Sequence, residues 1–261
     1  MKLDKNISLA EILFGMYLLI LPLMNLPRRF PLGDKIQYAD FVFMFLFIAW
    51  FFRTIRQKKA FFPFSRAVFV SLILLIIVNL FACLNSVNFS KSGIDYLGLL
   101  YLAALFLVVS SLAREKKIFN RGVRIIFMTS VVTSIIGLVS FTFYMSGINL
   151  WAEKLLLFSS LKTSIAPFPR IKSMCLLPEM FISFSQLGLV CGIISLKLRN
   201  DPQQKKLIIA GVLIIITAAL LAYSRALTGF FLVLTGIVWF KRENPVSARE
   251  YANRQLPLLY L

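Results

Sequence analysis

The chain has 261 residues, of which 59% are hydrophobic and 15% are charged, against roughly 45–50% and about 25% in soluble domains. Together with a mean hydropathy of +0.82, this composition excludes a soluble globular domain and a disordered chain and predicts a membrane protein. The formal net charge is +18, from 29 Lys and Arg against 11 Asp and Glu, and there is no histidine. The cations fall between long apolar runs and form no basic stripe, so we expect no nucleic-acid partner.

The apolar runs predict about eight transmembrane helices, because a bilayer core of about 30 Å needs about 20 apolar residues per helix. The predicted spans are residues 8–26, 38–52, 67–84, 94–113, 123–146, 177–197, 207–223 and 226–241. They form one transmembrane domain, residues 1–241, followed by a tail at 242–261. The pattern is that of an all-α polytopic membrane protein embedded in a lipid bilayer.

Lys and Arg are unevenly divided between the loops of the two membrane faces. One set of alternate loops, which includes both termini, holds 20 of the 29 cations, and the other set holds 9. Because positively charged loops are retained in the cytoplasm, the N-terminus and the C-terminus are both predicted to be cytoplasmic. Most of the surplus positive charge is thus accounted for by orientation.

The three cysteines, Cys83, Cys175 and Cys191, have no metal-ligand spacing. They are typical of small side chains in apolar helices. We therefore expect neither a metal nor another cofactor.

The fifth connection, residues 147–176, is the long loop of the predicted outer face. Its residues 150–158, LWAEKLLLF, combine an aromatic anchor, a lysine and apolar bulk. This combination predicts a helix lying in the membrane interface. Such a helix would either anchor the loop or guide a lipid substrate.

Two outer-face segments carry arginines close to the start of a span. Arg170 and Lys172 precede Pro178 and Glu179, and the proline suits the first turn of span six. Arg225 stands alone between spans seven and eight, beside Ser224, which can cap span eight. Both spans begin at the outer face, where a helix N-terminus favours anions. Because a guanidinium binds phosphate oxygens in a bidentate manner, the pattern indicates an anion site.

The same residues also have a purely structural interpretation. Arg225 would mark a loop end and reach the lipid headgroups, and Arg170 would be a chance loop cation. Glu179 would then be an ion-pair partner with no catalytic role.

At these two segments the chain resembles the O-antigen ligase and O-antigen polymerase superfamily of bacterial envelope glycosyltransferases. That family has an outer-face arginine before a Pro-Asn or Glu-Pro element and a Ser-Arg-Gly turn two helices later. The corresponding segments here are RIKSMCLLPE, from Arg170 to Glu179, and SRALTG, from Ser224 to Gly229. The resemblance implies envelope polysaccharide assembly by transfer of a glycan from an undecaprenyl-diphosphate donor, on the extracytoplasmic face of a bacterial cytoplasmic (inner) membrane. By the same resemblance, Arg170, Lys172, Ser224 and Arg225 would contact the donor pyrophosphate.

The chain departs from the family pattern at several points. Glu179 follows Pro178 where asparagine is usual, and Ala226 replaces a glycine. The family continues past a large extracytoplasmic loop that carries a further arginine and often a catalytic histidine, whereas this chain stops at Leu261. We therefore expect a truncated or split member.

Few residues of the chain could act as the general base for the transfer, because the chain has no histidine. It would have to be Glu179, Asp95, Asp40 or a group on a missing segment. The acceptor, which would be a second glycan, a lipid or a protein, stays open.

Two other functions are compatible with the sequence. A transporter or flippase for an anionic or lipid-linked substrate would use outer arginines to select its substrate, but it is expected to have ionisable groups or broken helices near the bilayer midplane. The predicted spans three, four, five and seven have no charged residue at their centres. The remaining alternative is an inactive truncated remnant.

Overall fold

The computed structural model describes residues 8–23, 37–56, 66–147, 157–158, 169–175, 177–199 and 201–222. Nearly all of these residues are helical. A short helix, α1 (Leu9–Ile20), is followed by α2 (Tyr38–Arg56), α3 (Arg66–Leu84), α4 (Phe89–Ala113), α5 (Lys116–Met145), α6 (Pro178–Leu198) and α7 (Pro202–Leu221). Within the described ranges, six helices, α2 to α7, are long and apolar enough to cross a bilayer. The chain is a multi-pass helical membrane protein.

Helices α2 to α7 correspond one by one to the second to seventh predicted spans. Several run beyond the predicted ends into charged residues: α2 ends at Arg56 and α5 begins at Lys116. The hydropathy pattern ends at the first charges, whereas the backbone hydrogen bonds of a helix continue past the edge of the apolar run. The predicted eighth span, 226–241, lies outside the described residues. The count of eight and the orientation stay predictions.

Helix α1 is shorter than the first predicted span, 8–26, of which residues 24–26 lie outside the described part. Ser8 caps the start of helix α1: its hydroxyl accepts a hydrogen bond from the Glu11 N–H at 3.4 Å and donates one to the Glu11 carboxylate at 3.2 Å. It ends at Ile20, two residues before Pro22, which has no N–H to continue the hydrogen-bond ladder. Twelve helical residues span only about 18 Å. Residues 21–23 are Leu, Pro and Leu and are not helical, so apolar side chains alone do not extend a helix.

The predicted interfacial helix at 150–158 is wrong at its end. Its last two residues form strand β1 (Leu157–Phe158), which pairs in an antiparallel manner with β2 (Arg170–Ile171). Leu157 lies opposite Ile171 and Phe158 lies opposite Arg170. This pairing gives backbone groups of both segments the hydrogen-bond partners that a buried chain needs. Residues 150–156 lie outside the described part.

The chain divides into two compact units. Unit 1 comprises Met1–Phe14 and Phe41–Asn120, and unit 2 comprises Gly15–Asp40 and Arg121–Leu261. In unit 1, α3 pairs with α4, and the rings of Phe43 on α2 and Tyr101 on α4 meet edge to face at a centroid distance of 4.8 Å. Leu46 and Val108 are completely buried there.

In unit 2, glycines allow three helices to pack closely. A Cβ atom on Gly192 of α6 or on Gly211 of α7 would lie 2.9 or 2.8 Å from the ring of Phe127 on α5, and one on Gly188 would overlap the Ser130 side chain. Small residues at helix interfaces let backbones approach in a membrane, where no hydrophobic force drives helices together. Gly188 meets Ser130, and Gly192, further along α6, meets Phe127, which is earlier on α5. These two helices therefore run antiparallel.

Candidate functional site

The candidate site lies at the N-terminus of α6. The helix begins at Pro178, which confirms the prediction that this proline occupies the first turn, and Leu177 precedes it without a side-chain cap. Proline needs no hydrogen-bond acceptor at this position. Glu179 is in the first turn and 52% of its side chain is exposed. A carboxylate there is favoured by the partial positive charge of the helix N-terminus.

Arg170 is held by contacts from two directions. Its Nε donates to the carbonyl of Ala222 at the end of α7 (3.0 Å), and its Nη2 donates to Oε1 of Glu179 (2.9 Å). The side chain is only 12% exposed. A guanidinium has five N–H donors, and these two bonds leave three for a ligand. The structure therefore brings Arg170 and Glu179 together as an ion pair at this end of unit 2.

The chain segment that carries Arg170, residues 169–175, packs deeply into unit 2. We call it the inserted segment. Ile171 is fully buried against Gly137 of α5, and the Ser173 hydroxyl donates to the Thr133 carbonyl at 2.6 Å. Ser173 has a φ of +50°, a conformation that residues other than glycine rarely adopt. The contacts of the surrounding helices thus hold the segment in a strained, non-helical path.

The depth that the inserted segment reaches can be measured along helix α5. At 1.5 Å per residue, Thr133 is about 18 Å from Met145 at one end of α5 and about 13 Å from Arg124, the last cation at the other. Pro178, ten residues before Gly188, begins α6 at about the level of residue 140, since Gly188 meets Ser130. The chain therefore reaches the level of Thr133 on α5 at Ser173 and then returns towards the Met145 end of α5, where α6 begins. Non-helical backbone at such a depth is tolerated where protein surrounds it.

Lys172 lies in this segment and is buried, with 8% of the residue exposed. No ion pair or hydrogen bond of its side chain is present among the described residues. Burial lowers the pKa of the ammonium group from its ordinary value of 10.5, because a low-dielectric environment disfavours the charged form. The sequence predicted a cation of an outer loop, whereas the structure places it inside the helical packing.

Cys175 closes the same segment and is fully buried in a cluster with Phe181 and Ile182 of α6 and Ala218 and Ala222 of α7. Burial raises the pKa of its thiol to about 12. A thiol with such a pKa behaves as a small apolar core residue and is a poor nucleophile. The sequence interpretation placed the cysteines in apolar helices, whereas Cys175 lies in the non-helical segment before α6.

The other candidate residues are placed as follows. Ser224 and Arg225 lie outside the described residues. The Oδ2 of Asp40 accepts a hydrogen bond from the backbone N–H of Gln37 at 2.7 Å and so caps the start of α2. Asp95 is exposed on α4. In the described ranges, no group of three or more His, Cys, Asp or Glu could hold a metal ion.

Sequence reasoning missed Thr133 and Ser173, which fix the depth of the inserted segment. Both are ordinary small polar residues, and neither hydropathy nor charge distinguishes them from the other Ser and Thr of the chain. A weak signal was present in the absence of charged residues from 173 to 178, directly before and into the predicted span.

The comparisons with known proteins identify no relative. No protein-family model, no curated protein and no solved structure matches the chain.

Proposed function

We propose that the chain transfers a glycan from an undecaprenyl-diphosphate donor on the extracytoplasmic face of a bacterial cytoplasmic membrane, as a ligase or polymerase of the O-antigen type. The observation that carries this proposal is the position of Arg170. Its guanidinium is fixed beside the first turn of α6 and keeps three N–H donors free of described contacts. A fixed guanidinium at a helix N-terminus is suited to the charge of a diphosphate.

The reaction needs little covalent chemistry from the protein. A sugar hydroxyl of the acceptor attacks the anomeric carbon of the donor glycan, a new C–O bond forms, and the C–O bond to the diphosphate breaks. Undecaprenyl diphosphate leaves with the bonding electron pair, and the hydroxyl proton passes to a base. Preorganised positive charge stabilises the leaving diphosphate, and this is the role proposed for Arg170, with Arg225, Lys172 and Ser224 as further diphosphate contacts.

Glu179 has two roles open to it in this scheme. Its bond to Arg170 orients the guanidinium, and its carboxylate, on a side chain that is 52% exposed, is the candidate acceptor of the hydroxyl proton. A Glu179→Gln variant separates them, because the amide keeps a hydrogen-bond acceptor but is not a base. A base role predicts loss of transfer across the pH range, whereas an orienting role predicts partial activity with an unchanged pH profile.

The proposal is tested with purified protein in liposomes that contain an undecaprenyl-diphosphate-linked oligosaccharide and an acceptor glycan. Arg170→Ala and Arg225→Ala are each expected to abolish transfer while leaving membrane insertion unchanged. Arg199→Ala is the matched control, because Arg199 follows the opposite end of α6 and its loss should leave transfer intact. Normal product from both the Arg170 and Arg225 variants would refute the diphosphate site.

One observation favours transport of an anionic, lipid-linked substrate as a second candidate. A buried lysine in a non-helical segment near the middle of α5 is the kind of feature that membrane transporters use. The same liposomes without acceptor distinguish the two functions. Translocation of the intact donor between leaflets, lost in Lys172→Met, would favour transport, and acceptor-dependent cleavage of the donor would favour transfer.

A further inference from the structure

Unit 1 contains a groove that the proposed glycan transfer does not use. It lies between α1 and α2 and has a volume of about 760 Å³, within the roughly 300–1,000 Å³ of ligand clefts. Its lining residues are Ser8, Leu9, Ala10, Leu13, Phe45, Ile48, Ala49, Phe52, Arg53 and Arg56. The walls are apolar, and both arginines lie towards the same end of α2.

The length of the groove matches one leaflet of a bilayer. From Arg56 to Phe45 the groove follows eleven residues of α2, or about 16 Å, and half of a bilayer core is about 15 Å. Phe45 and Phe52, which line it, are 56% and 66% exposed. The groove therefore has an apolar part of acyl-chain length and a cationic mouth.

The two arginines of the mouth differ in what they contact. Arg53 is 14% exposed, and its Nη2 bonds both carboxylate oxygens of Glu115 at 2.8 and 2.9 Å, with Glu11 at 3.9 Å. Its charge is thus matched within unit 1. Arg56 is exposed and makes no ion pair or hydrogen bond with any described residue. Among the described residues, Arg56 is therefore the cation at this mouth that an external anion can contact.

We propose that this groove binds one anionic glycerophospholipid, with an acyl chain between α1 and α2 and the phosphate on Arg56. The ligand chemistry follows from the two ends of the groove. The apolar walls of leaflet depth require a hydrocarbon chain, and the available guanidinium favours a phosphate oxygen. The distribution of Lys and Arg predicts that this end of α2 faces the cytoplasm, so the lipid belongs to the cytoplasmic leaflet.

Native mass spectrometry of the full-length protein, titrated with phosphatidylglycerol or phosphatidylcholine, tests the proposal. One phosphatidylglycerol molecule is expected to bind in preference to phosphatidylcholine. Arg56→Gln should weaken that binding about fivefold, since one Lys or Arg near an anionic lipid surface contributes about 1 kcal/mol. Arg199→Gln removes the same charge from the corresponding end of α6 and should leave the affinity unchanged. Equal binding of the two lipids, or equal affinity of wild type and Arg56→Gln, would overturn the proposal.

Cross-linking identifies the occupant directly. Phe52→4-benzoylphenylalanine places a photoreactive group of similar shape in the wall of the groove. In bilayers that contain phosphatidylglycerol, irradiation is expected to give a lipid adduct. A cross-link to a second copy of the chain or to another segment of the same chain would show that protein fills the groove, and would contradict the assignment.

Discussion

At the scale of single residues, Lys172 stands out because its charged side chain is buried. A buried ammonium group without an acidic partner is destabilising, because burial removes its hydration and no described charge replaces it. Natural proteins keep such groups where function requires them and lose stability by doing so. Its position two residues from Arg170 places this cost beside the candidate anion site.

Replacing Lys172 with methionine, which has a similar volume and no charge, is expected to separate stability from function. Lys172→Met should raise the free energy of unfolding by about 1 kcal/mol or more, since it removes the desolvation cost of the ammonium group. It should also lower glycan transfer. Unfolding in detergent and transfer in liposomes measure the two effects. A variant that is destabilised and fully active would show that the lysine has a structural role and no function.

At the scale of elements, the close packing of α5, α6 and α7 depends on positions without a side chain. Gly188 and Gly192 face α5, and Gly211 faces the same Phe127 ring from α7. The inserted segment then occupies the space beside α5 beyond Gly188, where Gly137 accommodates Ile171. The geometry of the candidate site therefore rests on how closely these helices approach.

Gly188→Ala tests this packing. The new methyl group would overlap the Ser130 side chain, and overpacking of a closely packed interface costs about 1–3 kcal/mol. Gly98→Ala is the matched control, because no atom lies within 4 Å of the added Cβ and alanine has the higher helix propensity by about 1 kcal/mol. Thermal unfolding in detergent should show a lower midpoint for Gly188→Ala and an unchanged or higher one for Gly98→Ala. The same midpoint for both variants would mean that the α5–α6 contact is not tight.

The sequence was informative about these elements to different degrees. Helices α2 to α7 were predicted from apolar length, because lipid imposes both the composition and the helical backbone on a spanning segment. The end of α1 was not predicted, because it depends on the geometry of Pro22. The strand at Leu157–Phe158 was not predicted either, because it depends on pairing with the distant Arg170–Ile171. The Arg170–Glu179 pair was foreseen as an alternative. The depth of Ser173 depends on a contact forty residues away along the chain, which composition does not encode.

At the scale of the whole molecule, both proposed sites depend on an orientation with both termini in the cytoplasm. The excess of 20 cations over 9 in the two sets of loops predicts that orientation. It places the Arg170 end of unit 2 outside and the Arg56 end of α2 inside.

Single cysteines in a cysteine-free background test the orientation. Lys91→Cys and Lys162→Cys are expected to react with an impermeant thiol reagent applied to intact cells. Lys206→Cys, at the opposite predicted face, should react only after the membrane is permeabilised. Labelling of Lys91→Cys and Lys162→Cys only after permeabilisation would invert the topology and move the diphosphate site to the cytoplasmic face.

We have proposed that Arg170 binds the diphosphate of a lipid-linked donor. The most direct test compares the affinity of the purified protein for a short polyprenyl diphosphate with its affinity for the corresponding polyprenyl alcohol. We expect the diphosphate to bind at least about tenfold more tightly, which is the effect of one charge-assisted contact of about 1.4 kcal/mol. That preference should disappear in Arg170→Ala and persist in Arg56→Gln, which affects only the phospholipid groove. Equal affinities for the diphosphate and the alcohol, or an unchanged preference in Arg170→Ala, would contradict the claim.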